Sequence, residues 1–154
     1  RQRPDSRTGP DVRLYFDTAY IAKCYLNEPG GLAVRRLARR ASGLYSSMLA
    51  ITELSCVFHR QVREGRLGED QAGEWRGHFL EDVNNGVWVL LPVTERILFR
   101  VDALVSAVPN SVFLRSGDAI HLVTALEASF PEIWSNDRHL LGAAEHFGLR
   151  ARSV

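Results

Sequence analysis

The chain contains almost no lysine. Lys23 is the single lysine among 19 basic residues, and the others are all arginine. The planar guanidinium group of arginine suits two-pronged contacts with phosphate, although a composition bias of the source genome is the commoner cause of such a count. The net charge of +1 predicts no strong affinity for polyanions by itself. One local cluster could line a phosphate track or form a solvated helix face, and it consists of Arg35, Arg36, Arg39 and Arg40.

The sequence also lacks the features of an exported or membrane protein. No apolar run approaches the roughly 18 residues that a membrane helix needs, and the N-terminus shows no charged-then-apolar signal pattern. The two cysteines, Cys24 and Cys56, both lie in apolar helical contexts. We expect them to be buried free thiols in a reducing compartment, which favours a cytoplasmic protein.

Several common motifs of phosphate and metal chemistry are missing. A Gly-x-x-x-x-Gly-Lys loop is absent, as is a Gly-x-Gly-x-x-Gly after a strand, which argues against P-loop and dinucleotide-binding enzymes. Ala19 stands where a phosphotransferase of the haloacid dehalogenase type would have a second aspartate. A response-regulator receiver would need a late lysine. The cysteines form no Cys-x-x-Cys pair, so zinc is not expected.

What is present is a series of short strands alternating with helices. We expect residues 1–10 to be a disordered leader or a cloning remnant, and residues 11–154 to form one domain. The alternation predicts an α/β sandwich with a mostly parallel sheet. The expected strands are residues 12–16, 44–46, 87–91, 132–135 and 149–154, with the continuous apolar run 87–91 buried on both faces. The expected helices are residues 17–27, 32–41, 48–64, 68–83, 95–108, 117–129 and 138–147, with N-caps at Ser46 or Ser47, Thr94 and Ser116.

Four acidic residues lie next to apolar segments, where a carboxylate is uncommon unless it has a structural or functional role. Asp17 and Asp137 each directly follow a predicted strand. Asp118 lies in the first turn of a predicted helix, and Glu53 lies about one and a half turns into another. Ligands bind outside the carboxyl ends of the strands in an open parallel sheet, so the three aspartates can share one rim and Glu53 can reach it. Such a cluster of oxygen ligands suits a hard ion, Mg²⁺ or Mn²⁺.

Each acid also has an ordinary structural explanation. Asp17 and Asp137 can be helix N-caps, each stabilising its helix by about 1 kcal/mol. Asp118 near a helix start interacts favourably with the helix dipole, by roughly 0.3–1 kcal/mol, and Glu53 can be a solvated helix residue. These explanations are the commoner ones for each acid alone. Together, however, clustered carboxylates repel, and the pKa of at least one would rise unless a cation neutralised them.

Histidine and tryptophan give no comparable signal. His121 falls inside an apolar helix and is expected to be a core or interface histidine. None of the five histidines has a convincing catalytic setting. Trp75, Trp88 and Trp134 are expected to pack rather than to stack on nucleobases.

Four segments resemble the motifs of the PIN-domain ribonucleases. Residues 15–23, Tyr-Phe-Asp-Thr-Ala-Tyr-Ile-Ala-Lys, resemble the opening of those proteins. Residues 46–54 resemble the family's second motif and place Glu53 at the second acidic position of the family. Residues 114–125, Leu-Arg-Ser-Gly-Asp-Ala-Ile-His-Leu-Val-Thr-Ala, resemble the third motif and are the most specific. Residues 134–140, Trp-Ser-Asn-Asp-Arg-His-Leu, are similar to the fourth. The length is that of the VapC toxins of type II toxin–antitoxin pairs.

The resemblance implies a PIN-like three-layer sandwich, in which a central, mostly parallel sheet is flanked by helices. It implies that four catalytic residues bind Mg²⁺ or Mn²⁺: Asp17, Glu53, Asp118 and Asp137. Of these, Asp17 and Asp118 are the firmest ligands.

Further positions follow less directly from the resemblance. Thr18 and Ser135 match hydroxyl-bearing positions near the metal site of the family. Arg115 is a candidate for holding substrate phosphate. Asn136 departs from the pattern, since a small residue is more usual there, and the departure concerns the shape of that loop rather than the neighbouring acid.

The activity implied is hydrolysis of RNA phosphodiester bonds, leaving 5′-phosphate and 3′-hydroxyl ends. The partners implied are RNA, a VapB-like antitoxin that occludes the acidic pocket, and a second copy in a homodimer, which can grow into a heterotetramer or a larger assembly with antitoxin. No membrane partner is expected. Exposed apolar positions in the helices of residues 32–80 are candidate partner surfaces. The alternative is a catalytically silent PIN scaffold that binds RNA or protein. The presence of all four acids argues against this alternative, because a silent scaffold does not need them.

Overall fold

A computed structural model describes residues 11–154, which form five strands and seven helices. The expectation of a disordered segment at residues 1–10 lies outside the described residues. The strands are β1 (Arg13–Tyr15), β2 (Gly43–Ser47), β3 (Trp88–Leu91), β4 (Glu132–Trp134) and β5 (Arg150–Arg152). The helices are α1 (Thr18–Tyr25), α2 (Gly31–Arg39), α3 (Ala50–Arg63), α4 (Glu69–Asn84), α5 (Glu95–Val105), α6 (Ser116–Glu127) and α7 (Arg138–Ala144), and the last is followed by a 3₁₀ turn, Glu145–Phe147.

All neighbouring strands run parallel, and β1 lies at the centre. β1 pairs with β2 and β2 with β3, while β4 pairs with β5. A bridge between Phe16 and Trp134 joins the two groups, and the Asp17 amide donates to the Trp134 carbonyl at 3.2 Å. The strand order is therefore 3-2-1-4-5. This order brings the carboxyl ends of β1 and β4, and the acids that follow them, side by side.

Helices cover both faces of the sheet, which gives the three-layer sandwich expected. Side chains of β1 alternate between the faces, because successive residues of a strand point in opposite directions. Leu14 and Phe16 join a core with residues of α1 to α4, whereas Tyr15 joins a second core with residues of α5 to α7. Tyr15 and Phe16 are both fully buried.

The strand of residues 87–91 is not buried on both faces, contrary to expectation. Trp88 is buried, but Val89 is 39% exposed and Val87, just before the strand, is 46% exposed. The physical reason is position: β3 is one of the two edge strands of the sheet, and its Val89 side is left uncovered.

Two of the expected helix caps are also wrong. Ser46 and Ser47 belong to β2, and α3 begins three residues later at Ala50, although the Ser47 hydroxyl accepts from the Leu49 amide at 3.2 Å. Ser116 is the first residue of α6 rather than its cap. The Thr94 cap is confirmed, since its hydroxyl accepts from the Ile97 amide at 3.2 Å.

The expectations for the cysteines are confirmed in part, and those for the tryptophans are confirmed. Both thiols are free, but only Cys24 is partly buried; Cys56 is exposed because its position on α3 faces an open cavity. All three tryptophans pack against the first core as expected, and the indole of Trp88 donates to the Tyr25 hydroxyl at 2.7 Å. Within residues 11–154, every helix is too short or too polar to cross a bilayer.

Candidate active site

The four acids predicted from the sequence line one cavity at the carboxyl edge of the sheet. Asp17 follows β1 and caps α1, and Asp137 follows β4 and caps α7. Asp118 lies in the first turn of α6. Glu53 also lies in a first turn, nearer the start of its helix than expected, because α3 begins at Ala50. The cavity has a volume of about 700 Å³ and is lined by all four side chains.

Asp17 is the most deeply buried of the four carboxylates. One oxygen accepts from the Tyr20 amide at 2.9 Å, and the other accepts from the Ser135 hydroxyl at 2.5 Å. Asp17 as a whole is only 4% exposed. Burial raises the pKa of Asp17 to about 6, although the Ser135 hydrogen bond opposes the shift. A carboxylate held in this way is fixed in direction and poorly solvated, so the positive charge of a bound cation would offset the free-energy cost of its desolvation.

Glu53 reaches the same cavity from the first turn of α3. Its Oε1 accepts from the Thr18 hydroxyl at 2.9 Å. A methyl group placed on Gly117 would lie 3.1 Å from its Oε2, so the absence of a side chain at position 117 leaves room for the carboxylate. Burial would raise the pKa of Glu53, but a hydrogen bond to His121 and the charges around it together hold the pKa below its ordinary value. Glu53 is therefore kept ionised beside Gly117, the residue before Asp118.

His121 contacts the acidic cavity in a way that the sequence did not indicate. It is 2% exposed, as a core histidine should be, but its Nε2 lies 2.7 Å from Glu53 Oε1 and 3.1 Å from the Thr18 hydroxyl. Its Nδ1 lies 3.1 Å from the Tyr15 hydroxyl. One signal could have found it: residues three apart share a helix face, so His121 lies on the same side of α6 as Asp118.

Arg115 links the two remaining acids. Its guanidinium donates to both oxygens of Asp118, at 2.8 and 3.2 Å, and also donates to Asp137. Burial would raise the pKa of Asp137, but the hydrogen bond from Arg115 and those from the start of α7 keep it below its ordinary value. That Arg115 holds substrate phosphate stays a prediction, and in this structure its guanidinium contacts Asp118 and Asp137.

The two hydroxyl residues carried over from the resemblance both touch the acids. The Ser135 hydroxyl donates to the Asp17 carboxylate and accepts from the backbone amide of Asp137 at 2.9 Å, so it connects the carboxylate that follows β1 to the backbone that follows β4. Thr18 contacts Glu53. Asn136, the position that departs from the family pattern, is exposed and lines the cavity.

The donor set suits a divalent cation, although each carboxylate also has a protein partner. Among residues 11–154, no three acidic, histidine or cysteine side chains are close enough to form a ready-made metal site. The reason lies in the contacts above, since Arg115 draws two acids to itself while hydroxyl and imidazole groups hold the other two. The chemistry is nevertheless that of Mg²⁺ or Mn²⁺, which prefer carboxylate oxygens. The space over Gly117 accommodates the Glu53 carboxylate at the cavity.

The far wall of the cavity is basic, which the sequence did not indicate. It is formed by the last turns of α3 and carries His59, Arg60 and Arg63, all exposed. The arginine cluster that did attract attention lies elsewhere, on and just after α2. None of its members lines the cavity, and three of them are exposed: Arg36, Arg39 and Arg40. The fourth, Arg35, donates to the Lys23 carbonyl at 3.0 Å.

Comparison with known families agrees with the fold. The profile of the PIN domain matches residues 14–145, most of the chain. The protein therefore belongs to the PIN domain family, whose members are in general metal-dependent nucleases. A search of curated proteins found no match.

Proposed function

We propose that this protein is a Mg²⁺- or Mn²⁺-dependent endoribonuclease of the VapC toxin type, which hydrolyses RNA phosphodiester bonds. One observation supports the proposal most directly: carboxylates from four separate segments line a single cavity. Burial disfavours the ionised form of such acids; this effect prevails at Asp17, whereas hydrogen bonds and nearby charges offset it at Glu53 and Asp137. Such an arrangement is expected where a cation and the phosphate that it binds offset the cost.

The catalytic roles follow from the contacts of each acid. Asp17, Glu53, Asp118 and Asp137 would hold the metal, which supplies an activated water and neutralises charge on the phosphate when bound. Ser135 and the start of α1 fix the direction of Asp17. Thr18 and His121 fix that of Glu53.

Proton transfer is assigned to the same carboxylates. Glu53 is held ionised, so it can accept the proton of the attacking water while the 3′-oxygen leaves. Cleavage on that side of the phosphorus leaves 5′-phosphate and 3′-hydroxyl ends. Arg115 is the nearest cation to the acids and can contact substrate phosphate once it has released them.

The test is cleavage of RNA by the purified protein with Mg²⁺ or Mn²⁺ and with EDTA. We expect cleavage only with metal, and we expect Asp17→Asn and Asp118→Asn each to abolish it. Asp102→Asn, an exposed aspartate on α5, is the matched control and should cut like the wild type. If both active-site variants cut as fast as the control, the site assignment is wrong. Mapping the 5′ ends produced after pulsed induction in cells would then identify the RNA that is cut.

Regulation by a VapB-like antitoxin that occludes the acidic cavity belongs to the same proposal. The cavity is open to solvent along α3, and apolar side chains are exposed elsewhere on the surface, including Leu32 on α2 and Phe99 on α5. We propose that the antitoxin and a second copy of this chain cover such surfaces, in a homodimer, a heterotetramer or a larger assembly. A small open reading frame directly upstream, whose product co-purifies with this protein and stops cleavage, is the expected finding.

The rival is a PIN scaffold that binds RNA or protein without catalysis. Calorimetric titration with Mn²⁺ separates the two functions. Binding that is weakened in Asp118→Asn, but not in Asp102→Asn, supports the nuclease. The absence of any heat above buffer would favour the silent scaffold.

A further inference from the structure

Helix α3 joins the acidic and the basic ends of the cavity. Glu53 lies in its first turn and Arg60 and Arg63 lie in its last turns, and all three line the same cavity. Residues three, four and seven apart share a helix face, which puts Cys56, Val57 and Arg60 in one stripe with Glu53. With a rise of 1.5 Å per residue, Arg60 lies about 10 Å and Arg63 about 15 Å along the helix from Glu53.

The two arginines are available for a ligand. The Arg63 side chain is 65% exposed and has one weak ion pair, at 3.5 Å with Glu64. Arg60 forms no ion pair with any carboxylate of residues 11–154. Glu28, the acid on this wall, is already engaged by Lys23 at 3.9 Å and by Gln61 at 3.5 Å. The basic wall therefore keeps its positive charge facing the cavity.

A substrate phosphate needs such a wall. Four carboxylates at the other end of the cavity repel a polyanion, so attraction has to come from beside the acids. The groove also continues past the wall, because His59 and Arg63 line a second cavity of about 660 Å³ between α3 and α4, where Arg76 adds another positive charge. The two cavities share His59 and Arg63 and so outline a path away from the acids along α3, on which Glu69 is the one acid of residues 11–154 that lines the second cavity.

We propose that Arg60 and Arg63 bind the backbone phosphates of single-stranded RNA on one side of the bond that is cut. This inference rests on the proposed ribonuclease function and adds the path of its substrate. Positively charged grooves that follow the backbone are the common means of holding single strands. The contacts are to phosphate, so they set the position of the strand and contribute little to the choice of sequence.

The test measures binding and not cleavage. A labelled oligouridylate is titrated with protein in EDTA over a series of NaCl concentrations. Each phosphate contact contributes about 0.7 to the slope of log K against log salt for single strands. The double variant Arg60→Gln/Arg63→Gln should therefore lose roughly 1.4 from the slope. The variant Arg60→Lys/Arg63→Lys keeps both charges and should retain most of it.

The matched control is Arg36→Gln/Arg39→Gln, which removes two exposed arginines from α2, outside the cavity. It should leave the slope unchanged. An equal fall in this control, or no fall in the α3 variant, would overturn the inference. Cleavage by the wild type with Mn²⁺ is scored separately. If the wild type cleaves RNA but the slope of the Arg60→Gln/Arg63→Gln variant is unaltered, only the proposed role of Arg60 and Arg63 is wrong. If the wild type does not cleave RNA but the slope of this variant is reduced, the ribonuclease proposal is wrong and the proposed role of the two arginines stands.

Discussion

His121 Nε2 lies 2.7 Å from Glu53 Oε1, although 68 residues separate them in the chain. On the other side of the ring, Nδ1 lies 3.1 Å from the Tyr15 hydroxyl. Tyr15 is in the central strand and fully buried, so it holds the imidazole rigidly. Glu53 is thereby tied to the sheet through His121. We regard His121 as a positioning residue, since its contacts are to Glu53, Thr18 and Tyr15.

We predict that His121→Gln weakens Mn²⁺ binding by about tenfold or more, as is usual when a group that orients a metal ligand is lost. Glutamine can keep one hydrogen bond to Glu53, but it cannot also reach Tyr15 in the same way. The carboxylate then loses its fixed direction, and its pKa rises because burial is less opposed. Calorimetric titration of the folded variant with Mn²⁺ measures the effect.

The control for this variant is His146→Gln, an exposed histidine in the 3₁₀ turn after α7. Its Mn²⁺ affinity should equal that of the wild type. The loss of buried hydrogen bonds also costs the His121 variant about 1–3 kcal/mol of stability, so a thermal melt accompanies each titration. Wild-type affinity in a folded His121→Gln protein would contradict the positioning role.

The acids were predictable from the sequence because local rules place them. Asp17 and Asp137 end strands and begin helices, and parallel strands bring such positions to one edge. The strand and helix pattern likewise predicted the sandwich. His121 was not predictable, because its helix is apolar on several sides and only the meeting of α6 with β1 and α3 shows what the ring touches.

Charge on the surface was the least predictable property. The cluster of arginines at 35–40 is conspicuous in the sequence, yet it lies outside the cavity. Arg60 and Arg63 are ordinary residues at the end of a helix until the packing of α3 directs them towards the acids. The position of β3 at the sheet edge is a similar case, because an apolar run does not show which strand is outermost.

Arg115 gives a prediction of the opposite sign to that for His121. It pairs with Asp118 and Asp137 in the structure, so a cation that binds these acids has to displace it. Its side chain is 51% exposed, and each pair is worth little in water. We expect Arg115→Gln to strengthen Mn²⁺ binding by roughly fivefold, equivalent to about 1 kcal/mol for the two pairs. The same titration measures it.

A suitable control is Arg96→Gln, which breaks another exposed ion pair, with Glu127, on the α5 side of the protein. It should leave Mn²⁺ affinity unchanged. Cleavage by Arg115→Gln should nevertheless fall if the guanidinium contacts substrate phosphate, as the proposed function holds. A loss of Mn²⁺ affinity in Arg115→Gln would show that the arginine supports the metal site rather than competing with it.

The burial of Asp17 predicts how stability depends on pH. Its pKa is raised from an ordinary 3.8 to about 6, so the folded protein binds the proton more tightly than the unfolded chain does. Stability is therefore lost as pH rises from about 4 to about 6, and the full cost remains above that range. A shift of this size corresponds to about 3 kcal/mol at neutral pH.

Asparagine resembles the protonated form of Asp17, so Asp17→Asn should be more stable than the wild type by about 3 kcal/mol near pH 7.5 in EDTA. The difference should shrink towards zero near pH 4, where the wild-type side chain is itself protonated. Urea unfolding at a series of pH values measures it, with Asp102→Asn as the exposed control. Saturating Mn²⁺ should stabilise the wild type more than Asp17→Asn, because the ion offsets a charge that the variant lacks. A constant difference across the pH range would show that the gain arises from packing or capping and not from the ionisation of Asp17.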